Sequence, residues 1–241
     1  MKLALATLPL LSLYSPIVNA NTYGLGKSWL IGQGSTSSIQ KVTTTLNPGF
    51  PPSNQTGSLK LYPASSNGTG DLLMTSVESW SDQSWCGGTV DQCNQKATFG
   101  QFAPLNANES LTIVFERSSD GSNWTQSAIV NDQVVSQVGQ HVVCLLRHLS
   151  FPSGPMTLFG MTTECNDNCA MTISPQTYSD TTIELSAPDL SWNSTAVDGS
   201  QVYGGEGVTN ISEQAPTVVT GLSSQDGQVW TVEEIMIPAL D

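Results

Sequence analysis

The chain has 241 residues, with 20 acidic against 7 basic side chains and a formal charge of −13 at pH 7. A surface that acidic repels phosphate backbones and anionic lipid, so nucleic acid, membrane surfaces and polyanionic substrates are excluded as expected partners. The length suits one domain.

From the N-terminus, Lys2 is followed by a mostly apolar run from Leu3 to Ile17. Val18, Asn19 and Ala20 then supply the small residues of a signal-peptidase site. Ser12, Ser15 and Pro16 interrupt the run, which is too short to span a bilayer. Residues 1–20 are therefore expected to be a signal peptide, with the mature chain starting near Asn21 and the product secreted. Six sequons, at Asn54, Asn67, Asn108, Asn123, Asn193 and Asn210, fit a secretory route and mark surface backbone for N-glycosylation.

Residues 21–37 are rich in glycine and read as a loose arm ahead of a 38–241 domain. Strands are then expected wherever period-two alternation runs between turn signals. These are Ser38–Leu46, Gly57–Tyr62 (stopped by Pro63), Asp71–Trp80, Ala97–Phe102, Ser110–Arg117, Trp124–Val130, Pro155–Glu164, Thr181–Leu185 and Val229–Ile237. Asn131 and Asp132 stand between two apolar runs, Ala128–Val130 and Gln133–Val135, and predict a tight hairpin. Residues 193–214 read as a long loop. No stretch of the mature chain has helical periodicity at helix length, so the predicted fold is an all-β antiparallel sandwich of jelly-roll type.

The cysteines fall in an oxidising compartment on this reading. Cys86 and Cys93 flank a polar loop, and Cys165 and Cys169 enclose Asn166, Asp167 and Asn168, so both pairs are expected as local disulfides with Cys144 left free. Zinc-like spacing is missing, and no metal or cofactor is expected. Asp167 between two asparagines could bind calcium, but three short side chains in a staple make a turn more simply.

Cys144 belongs to an atypical insert, residues 139–151, which also holds both histidines, His141 and His148. Three readings stand: a thiol–imidazole pair, an irregular loop, or a retained intron. On a strand neither histidine spacing brings an imidazole to the thiol.

The run from Gln55 to Pro63, then Asn67 to Leu72, then Ser79 with Trp80 and Ser84 to Gly88, resembles a largely uncharacterised family of secreted fungal proteins. The stretch from Thr163 to Asn166, the region Tyr178 to Leu185 and the end from Val229 to Pro238 resemble it too. The resemblance implies a concanavalin A-like sandwich and, through many relatives of that fold, work on carbohydrate. The fold also serves peptidases and lectins, so it does not fix a function.

No phosphate loop, nucleophile elbow or zinc-protease helix motif is present. Chemistry is left to carboxylates on strands. Alternation places Met74, Ser76, Glu78 and Trp80 on one face of their strand, and Leu158, Gly160, Thr162 and Glu164 on one face of theirs. Glu78 and Glu164 are therefore the candidate catalytic pair, with Trp80 as a ligand-stacking platform. Against this stands a placement of both at strand ends in solvent. Trp85, Trp124, Trp192 and Trp230 could stack on sugars or fill the core. Glu233 and Glu234 are expected on an edge strand, with one side chain outward.

Three function classes follow. The first binds or acts on carbohydrate, with a glycan or other small molecule as partner. The second is an acid-working enzyme, a glutamic-type peptidase or a small-molecule pathway enzyme. The third is a wall or surface glycoprotein without catalysis.

Overall fold

The computed structural model describes residues 23–32, 34–52, 57–68, 72–79, 85–93, 96–107, 109–141, 155–166, 174–198 and 217–239. In chain order the first half carries β1 (Tyr23–Ile31), β2 (Ile39–Asn47), β3 (Ser58–Ser66), β4 (Leu72–Ser79), β5 (Trp85–Cys93), β6 (Lys96–Phe99), β7 (Ala103–Leu105) and β8 (Leu111–Arg117). The second half carries β9 (Asn123–Val130), β10 (Gln133–His141), β11 (Leu158–Asn166), β12 (Gln176–Leu185), β13 (Val197–Asp198), β14 (Val218–Thr220), β15 (Ser223–Ser224) and β16 (Val229–Ile237). One short 3₁₀ turn, Trp192–Thr195, precedes β13.

These strands form two antiparallel sheets. Sheet A runs β13-β1-β11-β3-β4-β5-β6 with β7 also on β5, and sheet B runs β10-β9-β8-β2-β12-β16-β14 with β15 on β16. The core lies between them. Sheet A contributes Trp29, Ile31, Leu59, Leu61, Leu73, Val77, Phe159 and Met161, and sheet B contributes Val42, Leu46, Ile113, Phe115, Tyr178, Ile183, Trp230 and Ile235. Along each unbroken run these residues sit at alternate positions, as a face packed on another sheet requires, and the parity slips once in β12 at Asp180 (φ 51°) and once in β16 at Glu233 and Glu234. The expected antiparallel β-sandwich is therefore the fold.

The two sheets differ on their other faces. In sheet B the alternation is between core and surface, as in β8 and β9. In sheet A, β4 is buried at every position from Leu73 to Ser79, so the face turned away from sheet B is enclosed as well. A polar bridge ties this sheet to the other. The Gln176 side-chain amide donates to Thr163 Oγ1 at 2.6 Å and accepts from the Tyr178 hydroxyl at 2.9 Å, all buried. Thr163 neighbours Glu164 on β11, so the strand carrying that carboxylate is pinned across the core.

The hairpin expectation holds: Asn131 and Asp132 have φ of 49° and 61° between β9 and β10. Other expectations need correction. The Gly-rich arm is in large part β1, paired with β11 and β13. Glycine suggested looseness, but Trp29 and Ile31 are deep core anchors. Gly32 follows at φ +96°, and a Cβ there would strike the Thr157 carbonyl, so that close approach requires glycine. Pro63 does not stop β3. It pairs with Met161 on β11, and the β3–β4 ladder resumes at Ala64 and Met74 without a shift of register. The missing proline N–H costs a local ladder bond, not the strand.

The region from Ala97 to Phe102 is split, with β6 ending at Phe99 and β7 starting at Ala103. β12 begins five residues early, at Gln176. The 193–214 region opens with the 3₁₀ turn and β13 before leaving the described residues at 199.

The expected Cys86–Cys93 staple is also corrected. Both cysteines lie on β5, which pairs continuously with β4 from Trp85 to Gln92. Seven residues of extended chain span roughly 23 Å, far beyond the roughly 7 Å limit between Cα atoms for a disulfide. Cys165 is the penultimate residue of β11, while Cys169 and Cys144 lie outside the described residues, as do residues 1–20, Asp167 and most of the 139–151 segment. Gly139, Gln140 and His141 of that segment continue β10 along β9.

Three aspartates organise the turns and set an acid limit. The Ser118 and Ser122 hydroxyls hold Asp120 down at about 2. Hydroxyls of Ser191 and Ser35 lower Asp189, and the backbone N–H groups of Val229 and Gln228 lower Asp226. A carboxylate depressed in the folded state stabilises it above the unfolded value, and that stability is lost as pH falls through the folded value. The window here runs from about 4 in the unfolded chain to about 2 at Asp120. Thermal melts should be insensitive to these groups above pH 5 and fall modestly below 4, since all three carboxylates are solvent-screened. Asp189→Asn, which weakens the tie to Ser35, should flatten that acid slope. An unchanged slope would remove Asp189 from the account.

Candidate functional site

Strand register brings the two candidate carboxylates together. Glu164 on β11 lies opposite Lys60 on β3, and Lys60 lies opposite Glu78 on β4. The three form one row across adjacent strands, on the face of sheet A turned away from the core. That face is fixed by parity: Leu59 and Leu61 point inward, so Lys60 and Tyr62 point the other way. Glu78 and Glu164 are each only 5 % exposed, which rules out the solvent-facing placement.

Lys60 Nζ stands 4.0 Å from Glu78 Oε1 and 3.8 Å from Glu164 Oε1. The two carboxylate oxygens are therefore separated by no more than the sum of those distances. Each carboxylate also takes a hydroxyl. Ser76 Oγ donates to Glu78 Oε1 at 2.8 Å, and Tyr62 Oη donates to Glu164 Oε2 at 3.2 Å. Such charge-assisted bonds fix the carboxyl orientation, which is the condition for a preorganised acid–base or nucleophilic pair.

Two further rows lie along the strands. One position pair on, Ser28, Thr162, Tyr62 and Ser76 form a row of hydroxyl residues. The next row is Leu30, Gly160, Ala64 and Met74, entirely apolar. The face thus grades from charge through hydroxyls to hydrocarbon over about four residues of strand, roughly 13 Å.

Lys60 and Tyr62 were not singled out from sequence. The alternation in Ser58–Tyr62 puts both on one face, but nothing local reveals that β3 lies between β4 and β11. Trp80 lies outside the described residues, just past β4. Trp124, Trp192 and Trp230 fill the core and present no face to a ligand. Glu233 and Glu234 are both exposed, and β16 is internal to sheet B rather than its edge. Asn193 is exposed, while Asn67 and Asn123 are half-buried at turn or strand starts. Asn54, Asn108 and Asn210 lie outside the described residues. Among the described residues no group of His, Cys, Asp and Glu is placed to hold a metal ion.

No family model and no curated protein matches the chain. Solved structures of similar shape include Scytalido-glutamic peptidase with a peptide-based transition-state analogue, at 14% identity and TM-score 0.48, covering 89% of this chain and 99% of that one. The Bacillus licheniformis β-glucanase shares 8% identity at TM-score 0.35, covering 88% and 78%. The carbohydrate-binding module CBM66 from Bacillus subtilis shares 15% identity at TM-score 0.33, covering 60% and 80%. The chain is thus similar in shape to a glutamic peptidase, a glycosidase and a carbohydrate-binding module, all at low identity.

Proposed function

We propose that this is a secreted N-glycosylated protein that binds and acts on carbohydrate through the enclosed face of sheet A, with Glu78 and Glu164 as the reacting pair. The observation that carries this reading is the Glu164–Lys60–Glu78 row, two buried carboxylates aimed at one point and each held by a hydroxyl. In glycoside cleavage one carboxyl protonates the leaving oxygen while the other attacks the anomeric carbon or activates water. The bound on their separation spans the spacing of about 5–5.5 Å used in retention and the lower part of the roughly 6.5–9.5 Å used in inversion. Lys60, between them, would hold a sugar hydroxyl or the developing negative charge. The signal-like residues 1–20, the six sequons and the resemblance to secreted fungal sandwich proteins support secretion.

A glycan array and a polysaccharide hydrolysis panel on the secreted protein test the function. Release of reducing ends supports the catalytic pair, binding without release selects a lectin, and neither result removes carbohydrate altogether. Intact mass before and after deglycosylation tests the rest. An unshifted mass that retains residues 1–20 contradicts secretion and glycosylation.

A further inference from the structure

We propose that the substrate carries an apolar group that extends along the strands from the reacting bond, and that Leu30, Met74 and Phe102 select it. The inference rests on the carbohydrate reading of the same face and deepens it. A site for plain polysaccharide would continue its polar lining along the strands, yet four positions from the carboxylate row, just past the hydroxyl row, the lining becomes hydrocarbon. Tyr62 and Met74 are buried in a cluster separate from the sandwich core, with Ala64, Leu72 and Phe102 packed against them. This cluster belongs to the site, because the Tyr62 hydroxyl is the donor to Glu164 while its ring joins the apolar group.

The shape follows from the small residues. At Gly160 a Cβ would collide with Leu30 Cδ2 and come within 2.7 Å of the Trp29 carbonyl, so the Leu30 side chain lies against the β11 backbone at Gly160. Ala64, next across the sheet, is a small side chain in the row between Leu30 on one side and Met74 on the other, with Phe102 packed on the same cluster. Leu30, Ala64 and Phe102 are only half-buried, so this trough keeps surface for a ligand to cover. A sugar set at the carboxylates and hydroxyls would direct its aglycone along β3 onto that trough, about two residues or 7 Å beyond the hydroxyl row and about four residues or 13 Å from the carboxylates. An alkyl or aryl glycoside fits this arrangement.

The test compares a methyl and an n-octyl glycoside of the same sugar with wild-type protein, Phe102→Ser and Met74→Gln. The wild type should favour the octyl glycoside by at least about tenfold in kcat/KM, the discrimination one well-filled apolar pocket gives. Each variant should bring the octyl-to-methyl ratio toward unity, the ratio within each protein being the readout. Two substitutions are used because Met74 is buried and its loss could unsettle β4, whereas Phe102 is half-buried. Equal rates for the two glycosides in the wild type overturn the inference and leave the carbohydrate reading standing. An octyl preference that survives both substitutions overturns the assignment of these residues. A wild type that neither binds nor cleaves either glycoside sinks the carbohydrate reading, and the inference falls with it.

Discussion

Glu78→Gln and Glu164→Gln should each lower turnover of the wild-type substrate by about 10²–10⁴-fold, the usual contribution of a positioned acid or base. The amide keeps the carboxylate's shape and can still accept from Ser76 or Tyr62, so ligand binding should survive. Each single variant leaves Lys60 one of its two carboxylates, and the stability cost should stay within about 1–3 kcal/mol. The double variant separates the two effects. Residues acting as one unit lose little more activity together than singly. Stability should behave in the opposite way, because both carboxylates leave the surroundings of a lysine with only 18 % of its side chain exposed. Wild-type rates in both single variants, measured on protein with an intact melting transition, would remove the carboxylates from the chemistry.

Trp192→Ala should cost about 3–5 kcal/mol, the range for emptying a fully buried large aromatic position. Trp192 is 0 % exposed and packs on Trp230 with ring centroids 6.0 Å apart. Its turn also places Thr195, whose Oγ1 accepts from the Gly32 N–H at 2.7 Å, so the loss would loosen the end of β1. At this chain length the expected drop in Tm is roughly 10 °C. Glycan affinity at a temperature where the variant is still folded should match wild type, since Trp192 lies in the core. Lost affinity with an unchanged Tm would reverse the assignment and make Trp192 a stacking platform.

The sandwich was legible because most strands are half-buried ribbons whose apolar positions recur every second residue, as in Leu111, Ile113 and Phe115. The hairpin at Asn131 and Asp132 was legible because those residue types tolerate positive φ. β5 was not, since Gly87 and Gly88 beside two cysteines read as a stapled loop. Its strand character comes from pairing with β4, a long-range cause that no local window contains. β1 failed for the same reason. In the site, parity alone put Glu78 and Glu164 each on the right kind of face. That they share a row, with Lys60 between them, depends on the strand order β11-β3-β4, which brings Glu164 beside Lys60, 104 positions away in sequence, and into one row with Glu78, 86 away. Lys60 looked like an ordinary strand lysine until its neighbours were known.

Hydrogen exchange on Glu164→Gln protein, with and without an oligosaccharide that the wild type cleaves, tests the central claim most directly. The account predicts slowed exchange in β3 around Lys60–Tyr62, in β4 around Ser76–Glu78 and in β11 around Thr162–Glu164, with sheet B strands β8 and β9 unchanged. Protection confined to sheet B, or bound ligand that slows none of these three segments, would contradict it.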